Sequence, residues 1–134
     1  MFVLAIIVAT IVWFVAAAIL FFNPFVDKIY RSEEGHAAVR ALPQSAKTIR
    51  MILLAVVVQS VLWAYVYTLI SSALGGGKLC RGLTFGLILA LTKIIPRDID
   101  RILLTTYPRK RMTIEFIVGI ICSLVVGLVF GYIL

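Results

Sequence analysis

The sequence predicts an all-α integral membrane protein: four transmembrane helices in two hairpins, forming one domain over residues 1–134. Three observations predict it. Of 134 residues, 63% are hydrophobic and 14% charged, against about 45–50% and about 25% in soluble domains. Four apolar runs approach or reach the roughly 20 residues that cross a bilayer. The basic residues gather at the ends of those runs, where topology signals and anionic-lipid contacts belong.

The first span, Phe2–Phe22, carries no charge. It lacks a basic leader and a small-residue cleavage site, so it reads as a retained span and not a signal peptide. The second, Ile49–Ile70, has Arg50 at its edge, and the fourth, Thr113–Leu134, has Glu115 at its edge. The third, Leu79–Ile95, is the weakest. Its uncharged stretch, Gly82–Thr92, is 11 residues, or ~16 Å of helix. Arg81 and Lys93 bracket it and are expected to snorkel outward, which restores a usable length.

Charge placement decides that the third run crosses. The first connection holds Lys28, Arg31, Arg40 and Lys47. The last holds Arg97, Arg101, Arg109, Lys110 and Arg111, and the middle one holds Lys78 alone. Four crossings put both basic connections on one side, as the positive-inside rule prefers. The expected location is a bacterial cytoplasmic membrane, with both termini on the non-cytoplasmic side. Trp63, Tyr65, Tyr67 and Tyr132 then fall toward the outer interface and Tyr30 and Tyr107 toward the inner one, as aromatic belts do.

Arg97–Thr106 reads as a short amphipathic helix on the inner surface. Ile99, Ile102 and Leu103 recur at helical spacing, and Asp98 can pair with Arg101. Asp27–Ala41 is a looser counterpart. The hairpins also echo each other: Asn23-Pro24 matches Ile95-Pro96, and Pro43 with Thr48-Ile49 matches Pro108 with Thr113-Ile114. A parallel internal repeat and a shared preference of Pro and Asp for helix exits explain this equally well.

Lipid tails are as apolar as leucine, so helices associate in a bilayer by close packing. Helix four carries Gly119, Ser123, Gly127 and Gly131 at four-residue spacing, and helix three carries Gly82, Gly86 and Ala90. Facing small stripes predict a tight hairpin of these two helices; a contact of the helix four stripe with another subunit is the alternative.

Catalytic chemistry has few candidates. The sole histidine, His36, lies in a connection, and no cluster of metal-ligating residues is spaced for a site. Gly75-Gly76-Gly77 has no preceding strand and no GKS/T ending, so it is a turn and not a phosphate loop. Gln59 and Ser60 are the only polar pair at mid-depth of helix two, and an interhelical hydrogen bond is the expected role of Gln59. Cys80 and Cys122 should lie more than ~10 Å apart in depth at 1.5 Å per residue, too far for a disulfide. Both are expected to be buried packing residues.

Phe21-Phe22-Asn23-Pro24, followed by Phe25, Lys28 and Tyr30, resembles the close of the first helix in a widespread bacterial membrane family, catalogued as domain of unknown function 1761. Arg81-Gly82-Leu83-Thr84-Phe85-Gly86 is similar to that family's glycine-bearing third helix. The family's usual Trp-Tyr pair is Phe-Phe here, and the last basic connection is longer. The resemblance implies the four-span fold and no activity.

The expected function is that of a non-catalytic, multi-pass accessory subunit. It needs no cofactor. Its partners are anionic lipids and other membrane subunits or its own copies; nucleic acid is not among them. Trp13, Arg81 and Lys93 are the candidate lipid or partner contacts. A small oligomeric transporter is the alternative. In size and span number the chain resembles small multidrug transporters, but it lacks their membrane-embedded acid in helix one.

Overall fold

A computed structural model describes residues 1–21, 23–32, 35, 37 and 46–134. His36, Arg40, Pro43 and most of the Asp27–Ala41 segment beyond Ser32 lie outside them. The described elements are all helical: α1 (Phe2–Phe21), α2 (Pro24–Ser32), α3 (Ala46–Ile70), α4 (Lys78–Leu89), α5 (Ile95–Leu104) and α6 (Arg109–Ile133). Four rods are long and apolar enough to cross a membrane: Phe2–Leu20, Ala46–Ile70, Lys78–Leu104 and Arg109–Ile133. The chain is a multi-pass membrane protein.

The two prolines that close the first and third spans act differently. At the first, α1 ends and α2 begins anew. Asn23 accepts a hydrogen bond from the Phe25 amide through Oδ1 at 2.9 Å, and Pro24 takes the first helical position, where its missing N–H costs nothing. At the third, the helix does not stop. Sequence predicts a span ending at Ile95 and a separate surface helix over Arg97–Thr106; the structure joins them. One turn of π-helix, Ala90–Ile94, carries α4 into α5. Pro96 removes the amide that would bond the Thr92 carbonyl and crowds that carbonyl, so the ladder widens and then resumes.

α4 and α6 form the tightest pair. A β-carbon on Gly86 would stand 2.7 Å from the Leu124 α-carbon, and one on Gly131 would stand 2.6 Å from the Gly82 α-carbon. The two backbones therefore touch along Gly82, Gly86, Gly127 and Gly131. Toward the other end the stripe changes character. Gly119 faces the Ile94 side chain, and Ser123 returns its hydroxyl to the Gly119 carbonyl at 2.7 Å.

α1 lies against α6 and presents the fully buried Ala5 and Ala9; α3 lies on α1. Between α3 and α4 the space is filled by side chains. Tyr67 packs edge-on against Phe85 at 5.1 Å, and Phe130 completes the triad. These residues, with Ala64, Leu89 and Val126, are the core. Tyr67 is thus a core residue and not a belt residue. Gly76, at φ +90°, makes the turn from α3 into α4 that a side chain would strain.

Gly86→Ala and Gly127→Ala should each destabilise the bundle, by about 1–3 kcal/mol per overpacked position. Leu83→Ala, on the exposed side of α4, should change little. Thermal unfolding in mild detergent checks this, with lower transition temperatures expected for the two glycine variants alone.

Candidate functional site

Arg81, Lys93 and Glu115 lie within the third and fourth spans as read from sequence, and helix direction sorts them. In an α-helix every Cα–Cβ bond tilts toward the N-terminus. Arg81 stands in the first turns of α4, so its side chain leans out of the bundle, and Nε donates to the Gly76 carbonyl at 3.0 Å. Glu115 stands near the start of α6 and leans toward the end that carries α2 and α5. Lys93 stands near that same end but on a helix running the opposite way. Its side chain leans inward.

Lys93 therefore does not snorkel, contrary to the sequence expectation. Its ammonium donates to Gln59 Oε1 of α3 at 3.1 Å. It lies 4.1 Å from the ring centre of Trp13 and 4.2 Å from that of Trp63. The two indoles are stacked, with centres 4.5 Å apart and planes 8° from parallel. The ammonium is therefore almost equally distant from the two ring centres. Trp13 stacks on Trp63 of α3 and stays partly exposed.

This arrangement spans three helices: α1 gives Trp13, α3 gives Gln59 and Trp63, and the π-turn gives Lys93. The widened turn rotates the residues after it, and such turns recur at functional positions. A charge at this depth costs several kcal/mol in lost hydration. One hydrogen bond to an ion returns about 1.5–3 kcal/mol, and an aromatic neighbour up to about 2. The ammonium has three N–H groups, and Gln59 is its one hydrogen-bond acceptor among the described residues. No described carboxylate forms an ion pair with it. Ser60, the other half of the polar pair, is fully buried with its hydroxyl unpartnered among the described residues.

Glu115 anchors a second cluster. Oε1 accepts from the Tyr30 hydroxyl at 3.0 Å and the Tyr107 hydroxyl at 2.5 Å, and Oε2 from Arg101 Nη1 at 2.5 Å. Arg111 lies over the Tyr30 ring and donates to its carbonyl at 2.8 Å. The carboxylate thus ties α2, α5 and the connection before α6 to α6 itself. Burial, with the bond to Glu115, pushes the Tyr107 phenol up to about 12 and raises that of Tyr30 also. Both phenols remain donors at any physiological pH. The two tyrosines read from sequence as belt residues are therefore hydrogen-bonding members of a knot.

Of the cysteines, Cys122 is buried as expected, but Cys80 is exposed, and both are free thiols. Sequence reasoning placed Lys93 and Gln59 at separate positions of no shared purpose. The available signals were a lysine three residues before a proline and the only two tryptophans of the sequence, one in each of the first two spans.

A double-mutant cycle tests the lysine site. Gln59→Leu leaves the ammonium without its acceptor and should lower stability by about 1–3 kcal/mol. Lys93→Met removes the buried charge at similar volume and should be neutral or stabilising. In the double variant the Gln59→Leu penalty should vanish. Thermal unfolding, followed by fluorescence of the two tryptophans, measures all three.

Comparison with family models, with curated proteins and with solved structures gives no match to this chain, so the resemblance drawn from Phe21–Tyr30 and Arg81–Gly86 rests on those residues alone.

Proposed function

We propose that this protein is a non-catalytic accessory or structural subunit that packs against other membrane proteins in a larger complex. The observation that carries the reading is how little of two spans the chain covers by itself: 17% of the apolar stretch of α1 and 22% of that of α3. α3 buries only Val56, Ser60, Trp63, Ala64 and Tyr67 over 25 residues. The rest of that helix is surface available to neighbours. The interior, meanwhile, is committed to holding its own shape: Gln59 is spent on Lys93, Glu115 on two tyrosines and an arginine, and the glycines on each other.

The same reading places the protein in a bacterial cytoplasmic membrane. Its support is that Arg97, Arg101, Arg109, Lys110 and Arg111 share one end of the bundle with Lys28 and Arg31. By the positive-inside rule that end faces the cytoplasm and both termini face outward. A second reading, a small oligomeric transporter, draws support from Lys93, since ionisable groups at membrane depth mark substrate and proton pathways.

Purification in mild detergent, with identification of co-purifying chains, separates the two. The accessory reading expects one or more larger membrane proteins in fixed stoichiometry. A preparation containing only this chain, which after reconstitution drives a solute against its gradient, would refute it.

A further inference from the structure

α2 and the first turn of α6 leave an open groove of about 510 Å³ at the basic end of the bundle, lined by Phe25, Lys28, Ile29, Ser32 and Lys110. That volume is within the range of small-molecule sites, about 300–1,000 Å³. The four residues from α2 stand at i, i+3, i+4 and i+7, so they share one face of that helix. Lys110 comes from α6. Both lysines are exposed, and neither ammonium takes part in a hydrogen bond or ion pair among the described residues. Two neighbouring cations are already engaged. Arg31 pairs with Asp27 at 3.1 Å, and the buried Arg111 stands over the Tyr30 ring and donates to the Tyr30 carbonyl. Ser32 gives its hydroxyl proton to the Ile29 carbonyl at 2.7 Å, so it can only accept a further hydrogen bond. Phe25 is 70% exposed.

The groove thus brings together two uncompensated cations, one hydroxyl acceptor and an apolar strip. Like charges that share a groove repel each other, and an anion between them removes that cost. The apolar strip decides the source of the anion. α2 follows the first span and α6 opens the fourth, so the groove lies at the level where spans meet headgroups. We propose that this groove holds one anionic phospholipid whose headgroup brings no ammonium of its own. Its phosphate lies between Lys28 and Lys110, and the start of an acyl chain follows Phe25 and Ile29. A choline lipid cancels its own phosphate charge and has less to gain from the lysines. A free phosphate ion would leave Phe25 and Ile29 unused. Basic pockets beside membrane helices take anionic headgroups in this way. The inference gives a place to the anionic-lipid contact expected from the sequence. It is independent of the accessory-subunit reading and requires only that the rods span a membrane.

Native mass spectrometry of the detergent-purified protein tests it, with dioleoyl phosphatidylglycerol and dioleoyl phosphatidylcholine as probes. The glycerol lipid should bind about twenty-five-fold more tightly than the choline lipid, about fivefold for each lysine. Lys28→Gln and Lys110→Gln should each remove about fivefold of that preference. Lys47→Gln takes the same charge from the first turn of α3, outside the groove, and should leave the preference intact. Phe25→Ser should weaken both lipids together. Inorganic phosphate in large excess should not displace the glycerol lipid. All four substituted side chains are exposed, so the core is untouched in every variant. Equal binding of the two lipids, or an unchanged affinity in Phe25→Ser, would overturn the proposal. Equal losses in all three lysine variants would overturn it by assigning the preference to diffuse charge. Displacement by inorganic phosphate would overturn it by assigning the groove to a free anion.

Discussion

Gly82 and Gly86 on α4 approach Gly127 and Gly131 on α6 until backbone meets backbone, and the rest of the bundle is placed by that contact. In a bilayer no hydrophobic gain draws helices together, because lipid solvates an apolar side chain as well as a neighbour does. What remains is packing density, and a glycine seam maximises it. With α4 fixed on α6, α1 seats Ala5 and Ala9 in the core beside them, and α3 follows α1. The large rings of Tyr67, Phe85 and Phe130 then fill the space that α3 and α4 leave between them.

The same seam explains why Lys93 cannot escape. α4 is held to α6 along its first three turns, so its helical direction and facing are set before the chain reaches Pro96. The π-turn that accommodates the proline adds one residue within the ladder, and Ile94 is buried against Gly119 as a result. With Ile94 committed to α6, Lys93 falls on the side facing α1 and α3. Its Cβ already leans away from the nearest interface, and the indole pair with Gln59 receives it. The ion is a consequence of where the fold had to put a lysine on that helix; its partial compensation is what makes the position a site.

The architecture was legible because its determinants are additive along the chain. Span length, mean hydropathy and the clustering of basic residues each read directly from composition, and the small stripes read from a four-residue period. The lysine site and the tyrosine knot were not legible, because both depend on rotation of one helix against another. Snorkelling is a sound default for Arg81 and fails for Lys93, whose side chain leans into the bundle on the face that α1 and α3 cover. Tyr30 and Tyr107 carry an interfacial signature that is true of their depth and silent about Glu115. The π-turn hid in a proline read as a boundary, when the surrounding packing held the helix together through it.

The central claim is that α4 and α6 meet glycine to glycine within one chain. Dipolar-recoupled solid-state NMR on protein labelled with ¹³C at glycine α-carbons reads it with little overlap, since the chain has nine glycines. Cross-peaks between Gly86 and Gly127 and between Gly82 and Gly131 are expected, undiminished relative to the glycine signals when labelled protein is diluted into unlabelled protein. Their absence, or their loss on dilution, would contradict the account, the latter by assigning the seam to two copies.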